Sequence, residues 1–224
     1  MARGPTAQGA RTRDAILRAA ADLASVDGLE GLTIGSLAGA LQISKSGLYA
    51  HFGSKQDLQL ATIETARQIY TQEVITPARD AATGVNQLLA LSDNFLSYIE
   101  RGVFPGGCFF ANAMAEFDCK PGAIRDRIAE LQAAWMHTLQ RAAADAVSRG
   151  QLRPDADVEQ LAFEVEAALL SANWYIHLFS DTSYLDRAKR SIRSRVESNC
   201  TSRGRRAIES PVPFQTAIAP PAGT

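Results

Sequence analysis

The sequence is poor in several features that define whole classes of protein. Its three cysteines, Cys108, Cys119 and Cys200, form no CxxC pair and no spacing typical of zinc ligands. No apolar run approaches the length of a membrane span, and the first eight residues lack the apolar core of a secretory signal. We therefore expect a soluble, cytoplasmic protein with reduced thiols, no metal site and no cofactor.

The charge balance excludes a protein that attracts nucleic acid over its whole surface. The chain carries 23 Lys and Arg against 24 Asp and Glu, a net charge of −1, so any attraction to phosphates has to be local. Residues 1–13 contain three arginines and no acid, and residues 31–56 contain Lys45, Lys55 and His51, again with no acid. A surface that faces DNA phosphates is expected to lack carboxylates in this way.

Alanine and leucine are frequent in the chain, and its apolar residues recur with the period of a helix. Hydrophobic residues make up 46% of the sequence, which allows a sizeable core and excludes wholesale disorder. Apolar residues at i, i+3 and i+4, separated by capping residues and breaks, predict nine helices and an all-α fold. The predicted ranges are about 11–26, 34–41, 45–51, 55–76, 85–101, 108–117, 121–148, 155–179 and 182–198.

Within this series, the second and third helices predict a helix-turn-helix. Ala38 is the small residue that such a motif needs where its helices touch. Six apolar side chains are expected to face inward: Ile34, Leu37, Leu41, Ile43, Leu48 and Phe52. Small polar, basic and aromatic side chains remain on the outer face of the third helix, as in a helix that enters the major groove of DNA. The candidate DNA contacts are Thr33, Ser44, Lys45, Ser46, Tyr49, His51 and Lys55.

Each candidate has a chemical role. Lys45 and Ser46 are candidates for contacts to bases or phosphate, and Tyr49 and His51 for contacts to phosphate. Lys55, with the amide groups that begin the fourth helix, would clamp a phosphate. The alternative is a plain helical hairpin that binds nothing, and the acid-free surface favours DNA over it.

Residues 42–58, Gln-Ile-Ser-Lys-Ser-Gly-Leu-Tyr-Ala-His-Phe-Gly-Ser-Lys-Gln-Asp-Leu, resemble a run found in TetR-family transcriptional regulators. The typical pattern is Gly-Val-Ser-Lys-Gly-x-Leu-Tyr-x-x-Phe-x-Ser-Lys-x-x-Leu. Gln42 replaces its first glycine, the turn residue, and the second glycine is displaced by one position to Gly47. The resemblance implies a homodimer on a palindromic operator, with recognition helices about 34 Å apart, and usually repression released by a small ligand.

This resemblance suggests how the chain is divided. We expect a flexible arm (1–10), a helix-turn-helix DNA-binding domain (11–56), a helical ligand-binding and dimerisation domain (57–199) and a disordered tail (200–224). The long fourth helix would link the ligand pocket to the DNA-binding domain, so its tilt would couple the two.

The second half of the chain carries most of the large aromatic residues, and these predict an effector pocket. The candidate lining residues are Phe95, Phe110, Met114, Trp135, Trp174 and His177, with Asn112, Asn173 or Glu116 as polar contacts. Plain core packing is the alternative for each of them.

Dimerisation is expected through the helices near 155–179 and 182–198, packed as a four-helix bundle. One apolar stripe consists of Val158, Leu161, Ala162, Val165, Leu169 and Ala172, and the other of Leu185, Ala188, Ile192 and Val196. Packing within the chain is the alternative for both stripes.

Two other functions stay open at this point. Cys108 is expected to open a helix, where a thiol is more reactive, so the protein could sense electrophiles or oxidants. A buried structural cysteine fits equally well. A helical enzyme or carrier with a non-functional DNA domain, or a protein-interaction module, is the remaining alternative, although no nucleophile–base pair is evident in the sequence.

Overall fold

The computed structural model describes residues 7–209, which form an all-α fold and confirm the predicted class. The helices are α1 (Ala7–Asp27), α2 (Ile34–Leu41), α3 (Lys45–His51), α4 (Lys55–Tyr70), α5 (Thr76–Ala81), α6 (Val85–Glu100), α7 (Phe109–Phe117), α8 (Ala123–Ser148), α9 (Val158–Phe179), α10 (Ser183–Asn199) and α11 (Ser202–Glu209). A π-helical turn, Thr71–Ile75, lies between α4 and α5. None of the described helices is long and apolar enough to cross a membrane.

The predicted caps of the first four helices are confirmed. Gly28 ends α1 in the left-handed region at a φ of 84°, a conformation that glycine adopts without a Cβ clash. Thr33 Oγ1 accepts from the N–H of Ser36 at the start of α2, and Ser44 Oγ accepts from Gly47 at the start of α3. Ser54 Oγ accepts from the N–H of Asp57 in the first turn of α4. These local bonds set the register of the helix-turn-helix.

The prediction of one helix over residues 55–76, ending just before Pro77, is wrong. The α-helical part ends earlier, at Tyr70, and the chain continues through the π-turn into α5, where proline occupies the first turn. Proline is tolerated there because the first helical N–H groups have no partner in the helix.

The ends of the chain also differ from the prediction. Helix α1 begins at Ala7, inside the expected arm, and residues 1–6 lie outside the described part. Part of the expected disordered tail forms α11. This helix packs closely on the rest of the chain, since a Cβ added at Gly204 would lie 2.1 Å from the carbonyl oxygen of Gln151. Ile208 is also buried. Residues 210–224 lie outside the described part.

The chain divides into two compact units. The first contains the described residues up to Tyr70, together with Ile99–Trp135 and Asn173–Asp181. The second contains Thr71–Tyr98, Met136–Ala172 and the described residues from Thr182 onward. The first unit therefore differs from the predicted domain 11–56, because it joins the helix-turn-helix to α7 and to the first half of α8.

An ion-pair network ties α4 to α8 in the first unit. The Glu64 carboxylate accepts from Arg67 at 2.6 Å and from Arg127 of α8 at 3.1 Å. The hydrogen bond from Arg67, followed by that from Arg127, lowers the pKa of Glu64 although partial burial raises it. The network therefore favours the ionised form of Glu64.

Candidate DNA-binding and effector sites

Helix α3 is held from one side by two fully buried side chains. Leu48 and Phe52 are 0% and 2% exposed, and the Arg13 guanidinium lies 5.0 Å from the centre of the Phe52 ring. Ala38 is buried at the helix contact, as predicted. The prediction that Ile43 faces inward is wrong, since its side chain is 41% exposed. Ile43 belongs to neither helix, and its position in the turn directs it to solvent.

The turn between α2 and α3 is closed by Gln42 in the left-handed conformation, with φ 54° and ψ 36°. The N–H of Ile43 donates to the carbonyl of Ala38, and the N–H of Gln42 to that of Gly39. This pair of bonds is a Schellman motif, which usually has glycine at the left-handed position. The sequence therefore keeps the turn geometry of the family pattern without its glycine.

The outer face of α3 is exposed at every predicted contact near its amino end. Tyr49 lies four residues after Lys45 and three after Ser46, so it shares one side of the helix with both, and it is 58% exposed. The Lys45 ammonium would lie 3.7 Å from a Cβ added at Gly35, so this side chain extends along the start of α2. His51 is half-buried against Phe52, with ring centres 6.1 Å apart.

The three Ser and Thr side chains among the predicted DNA contacts already have hydrogen-bond partners within the protein. Ser44 caps α3 and also accepts from the Ser46 hydroxyl at 3.2 Å. Thr33 forms a reciprocal capping box with Ser36. These hydroxyls are exposed enough to contact phosphate, but their first role is to begin the helices that place Lys45 and Tyr49.

The sequence led us to expect that the candidate DNA-binding surface has no carboxylates. The structure shows that a carboxylate lies there. Lys55 Nζ lies 3.0 Å from Glu30 Oε1, and the two side chains are 42% and 51% exposed. Glu30 precedes the acid-free segment in the sequence, and the fold brings it to Lys55. An exposed pair of this kind contributes less than about 1 kcal/mol, so a DNA phosphate can compete with Glu30 for the lysine.

The turn between α1 and α2, Gly28 to Gly31, is held from two sides. The Glu116 carboxylate of α7 accepts from the N–H groups of Leu29 at 2.7 Å and Glu30 at 2.9 Å. On the other side, Gln59 of α4 is 4% exposed and donates to the Leu29 carbonyl at 2.7 Å. Sequence reasoning missed Gln59, whose only signal is a polar residue within a buried helical stripe.

The three polar side chains predicted to contact an effector are used between elements instead. Glu116 holds the α1–α2 turn. Asn112 donates to the carbonyls of Ser25 at 3.0 Å and Gly106 at 2.9 Å. Asn173 accepts from the N–H of Cys108 at 2.7 Å. Each joins segments more than five residues apart, which sequence periodicity does not reveal.

The aromatic candidates separate into several environments. In the first unit, the Tyr70 ring makes edge contacts with Phe110, at 5.9 Å between ring centres, and with Trp135, at 5.3 Å. Phe95 belongs to the second unit, where it is buried against Tyr98 at 6.1 Å. Sequence reasoning missed Tyr70, although it ends α4 next to the π-turn.

Trp174 and His177 lie at the surface of the first unit. Both are exposed on the last turns of α9, and Trp174 is 44% exposed. His177 lies close to Gly107, where an added Cβ would be 2.5 Å from its Nε2.

An open groove of about 360 Å³ lies between α7 and α8 in the first unit. Its lining consists of Met114, Phe117, Asp118, Arg125, Ile128, Ala129 and Gln132. Of the six predicted effector residues, Met114 lines it. The groove has an apolar floor and charged groups at its rim, a combination typical of small-molecule sites.

The cysteines do not provide the reactive thiol that sensing requires. Cys108 directly precedes α7, as predicted, but is 2% exposed. Cys200 is also buried, and burial raises the pKa of its thiol. Cys119 is exposed, and a hydrogen bond to Asp118 raises the pKa of its thiol. In residues 7–209, no group of three or more Cys, His, Asp and Glu side chains could hold a metal ion.

The two apolar stripes predicted for dimerisation are buried within the chain, which is the alternative that the sequence left open. Their members from Leu161 to Ala172 are at most 2% exposed, and those from Leu185 to Val196 at most 5%. A different face of α9 is open in the first unit, with Trp174, Tyr175, Leu178 and Phe179 between 43% and 71% exposed. The period of the sequence predicts an apolar stripe, but not which of two apolar faces is covered.

Solved structures of known proteins share this fold. A TetR transcriptional regulator from Chloroflexus aurantiacus is 26% identical, with a TM-score of 0.81 over 87% of this chain and 98% of that one. A TetR-family regulator from Cytophaga hutchinsonii is 22% identical, with a TM-score of 0.78 over 89% and 100%. AibR, solved with isovaleryl coenzyme A and operator DNA, is 24% identical, with a TM-score of 0.62 over 79% and 96%. Among curated proteins, none matches this chain.

Two family profiles match the sequence itself. The profile of bacterial regulatory proteins of the tetR family matches residues 16–62, which include the helix-turn-helix. The profile of the tetracyclin repressor-like C-terminal domain matches residues 84–192. Together the two profiles cover more than two thirds of the chain. The chain therefore belongs to the TetR family of transcriptional regulators, which are DNA-binding proteins and not enzymes.

Proposed function

We propose that the protein is a homodimeric repressor that binds a palindromic operator in the cytoplasm and is released by a small-molecule effector. The observation that carries the proposal is the open face of α3, where Lys45, Ser46 and Tyr49 point away from a helix held by buried Leu48 and Phe52. The backbone of a rigidly held helix loses little freedom on binding, so such a helix suits the presentation of side chains to the major groove.

The candidate contacts divide into two kinds. Lys45 and Ser46 begin α3 and would reach base edges, as the first residues of a recognition helix do. Tyr49, His51, Lys55 and the caps Thr33 and Ser44 would bind the phosphate backbone, which sets the register without reading sequence. Lys55 would exchange its Glu30 partner for a phosphate on binding.

Fluorescence anisotropy with labelled duplexes from upstream of the protein's own gene tests DNA binding. We expect Lys45→Ala to weaken binding about tenfold or more and to change the preferred base at one position. We expect Lys55→Ala to weaken binding on every sequence and to lower the salt dependence by about one phosphate contact. Lys120→Ala, which removes the same charge outside the motif, is the matched control. Parental affinity in both test variants would refute the assignment.

We propose the open face of α9 as the dimer contact, because the residues of the two predicted stripes are buried in the core. A contiguous patch of four large apolar side chains is often a site of interaction with another protein, and the rings of Tyr175 and Phe179 stack within it with their centres 5.6 Å apart. A second copy of the chain would cover this patch by presenting the same face, as in a twofold interface.

Sedimentation velocity tests the dimer contact. Leu178→Asp places a charge on the most exposed apolar side chain of the patch, so we expect a monomer at concentrations where the parent is dimeric. Val26→Asp, at a residue 61% exposed on α1, is the matched control and is expected to leave the dimer intact. A dimeric Leu178→Asp variant would contradict the assignment.

The groove between α7 and α8 is the proposed effector site. Its volume of about 360 Å³ lies in the range of roughly 300–1,000 Å³ that small-molecule sites occupy. A cavity between α6 and α10 measures only about 160 Å³. Another cavity, beside α11, is larger at about 420 Å³, but its lining is polar and charged. The floor made by Met114 and Ile128 suits a small apolar molecule, and Arg125 and Asp118 place charges of both signs in the lining.

Binding of the anionic dye 1-anilinonaphthalene-8-sulfonate tests the groove directly. Ala129→Trp would fill the groove from an exposed position, so we expect it to abolish dye binding. Ala133→Trp, one turn further along α8 and also exposed, is the matched control and is expected to leave dye binding unchanged. Equal dye binding by both variants would place the effector site elsewhere.

A further inference from the structure

Helix α7 connects the proposed effector groove to the helix-turn-helix by two of its faces. Met114 and Phe117 line the groove, whereas Asn112 and Glu116 bond to the end of α1 and to the α1–α2 turn. At about 100° per residue, the second pair lies on the opposite side of the helix from the first. The helix has nine residues, so the two pairs lie within three turns of each other.

The contact between α7 and the turn is specific and closely fitted. Two consecutive backbone N–H groups donate to one carboxylate, and a Cβ added at Gly28 would lie 2.8 Å from Glu116 Oε1. Just before α7, a Cβ added at Gly106 would lie 1.9 Å from the carbonyl oxygen of Ser25. There is therefore little free space between α7 and the end of α1, and a shift of α7 has to move its partners.

The turn leads directly to the groups that would contact DNA. It is followed by Thr33, the cap of α2, and Glu30 within it bonds to Lys55. Gln59 of α4 holds the same turn from its other side. A displacement of the turn would therefore change the start of α2 and, through the Schellman turn at Gln42, the position of α3.

We propose that Glu116 is a positioning residue for DNA binding, and that its bonds to the α1–α2 turn transmit movement of α7 to the recognition helix. The inference rests on the proposed function, because it takes the α7–α8 groove as the effector site. It adds a second connection beside α4, one that acts through backbone amides rather than through helix tilt. Charge-assisted hydrogen bonds to a carboxylate suit this role, since they are stronger and more directional than neutral ones.

Hydrogen exchange of the full chain tests the clamp itself. In Glu116→Ala, the amides of Leu29 and Glu30 lose their acceptor, so we expect their exchange to be at least about tenfold faster, while amides far from the turn keep their exchange rates. In Glu116→Gln, one amide oxygen remains to accept, so we expect intermediate protection. Glu130→Ala, which removes a carboxylate from an exposed site on α8, is the control. Unchanged exchange in Glu116→Ala would overturn the clamp.

DNA affinity in a double-mutant cycle tests transmission, with a duplex selected by the parent from a random library. We expect Glu116→Ala to weaken binding about tenfold and Glu116→Gln to restore part of the loss. Ala129→Trp, which occupies the groove, is expected to weaken DNA binding in the parent and to have little further effect in Glu116→Ala. An equal effect in both backgrounds, or no effect in the parent, would overturn transmission. If the parent itself selects no DNA, the proposed function fails instead.

Discussion

The most direct test of the helix-turn-helix geometry is Gln42→Gly. Gln42 holds a left-handed backbone with φ 54°, which costs a residue with a side chain roughly 1–2 kcal/mol. Glycine avoids this clash but loses about 0.5–1 kcal/mol more backbone entropy on folding. The difference predicts that the variant is more stable by about 0.5–1 kcal/mol, because its exposed side chain adds no buried contact that would be lost.

Urea and thermal unfolding, followed by circular dichroism, measure this gain. For a chain of this size, the expected stabilisation raises the melting temperature by about 1–4 °C. Gln42→Ala is the matched control, since alanine keeps the Cβ that makes the conformation unfavourable, and we expect its stability to stay near that of the parent. A Gln42→Gly variant no more stable than Gln42→Ala would refute the strain argument and the turn geometry with it.

Three further predictions concern packing, pH and thiols. In urea unfolding, Gly106→Ala should destabilise the fold by about 1–3 kcal/mol, because the added Cβ would collide with the backbone of Ser25. Gly39→Ala should instead stabilise the fold by up to about 1 kcal/mol, because Gly39 lies in open space within α2. Because folding lowers the pKa of Glu64, ionised Glu64 stabilises the fold at pH values above the ordinary carboxyl range. This stabilisation is lost as the pH falls through the lowered pKa. The advantage of the parent over Glu64→Gln, under about 1 kcal/mol for this half-exposed group, should therefore vanish in acid melts. Ellman's reagent should label Cys119 in the native protein, and rapid labelling of Cys108 would contradict its burial.

The helix-turn-helix could be predicted in detail because short-range interactions determine it. The caps at Thr33, Ser44 and Ser54 bond to amides three residues away, and the buried positions of Leu48 and Phe52 follow from helical period. Ile43 was misplaced because it belongs to a turn, where period carries no information. The left-handed backbone at Gln42 follows from the Schellman bonds, which a single residue letter does not disclose.

The effector and dimer assignments depended on contacts that no local pattern contains. Asn112 and Glu116 were expected to face a ligand, and both bond to segments more than eighty residues earlier in the chain. Helix α9 has apolar residues on two faces, and only packing decides which face is covered. Burial of Cys108 likewise depends on its surroundings and not on its place before a helix.

The sequence by itself determined the all-α class, the bounds and caps of α2 and α3 and the family, because these follow from period and from bonds between near neighbours. Tertiary structure alone decided that Glu30 meets Lys55, that α11 folds where a tail was expected, and that Glu116 holds the α1–α2 turn. Each of these brings together residues far apart in the chain, and their meeting depends on how the helices pack.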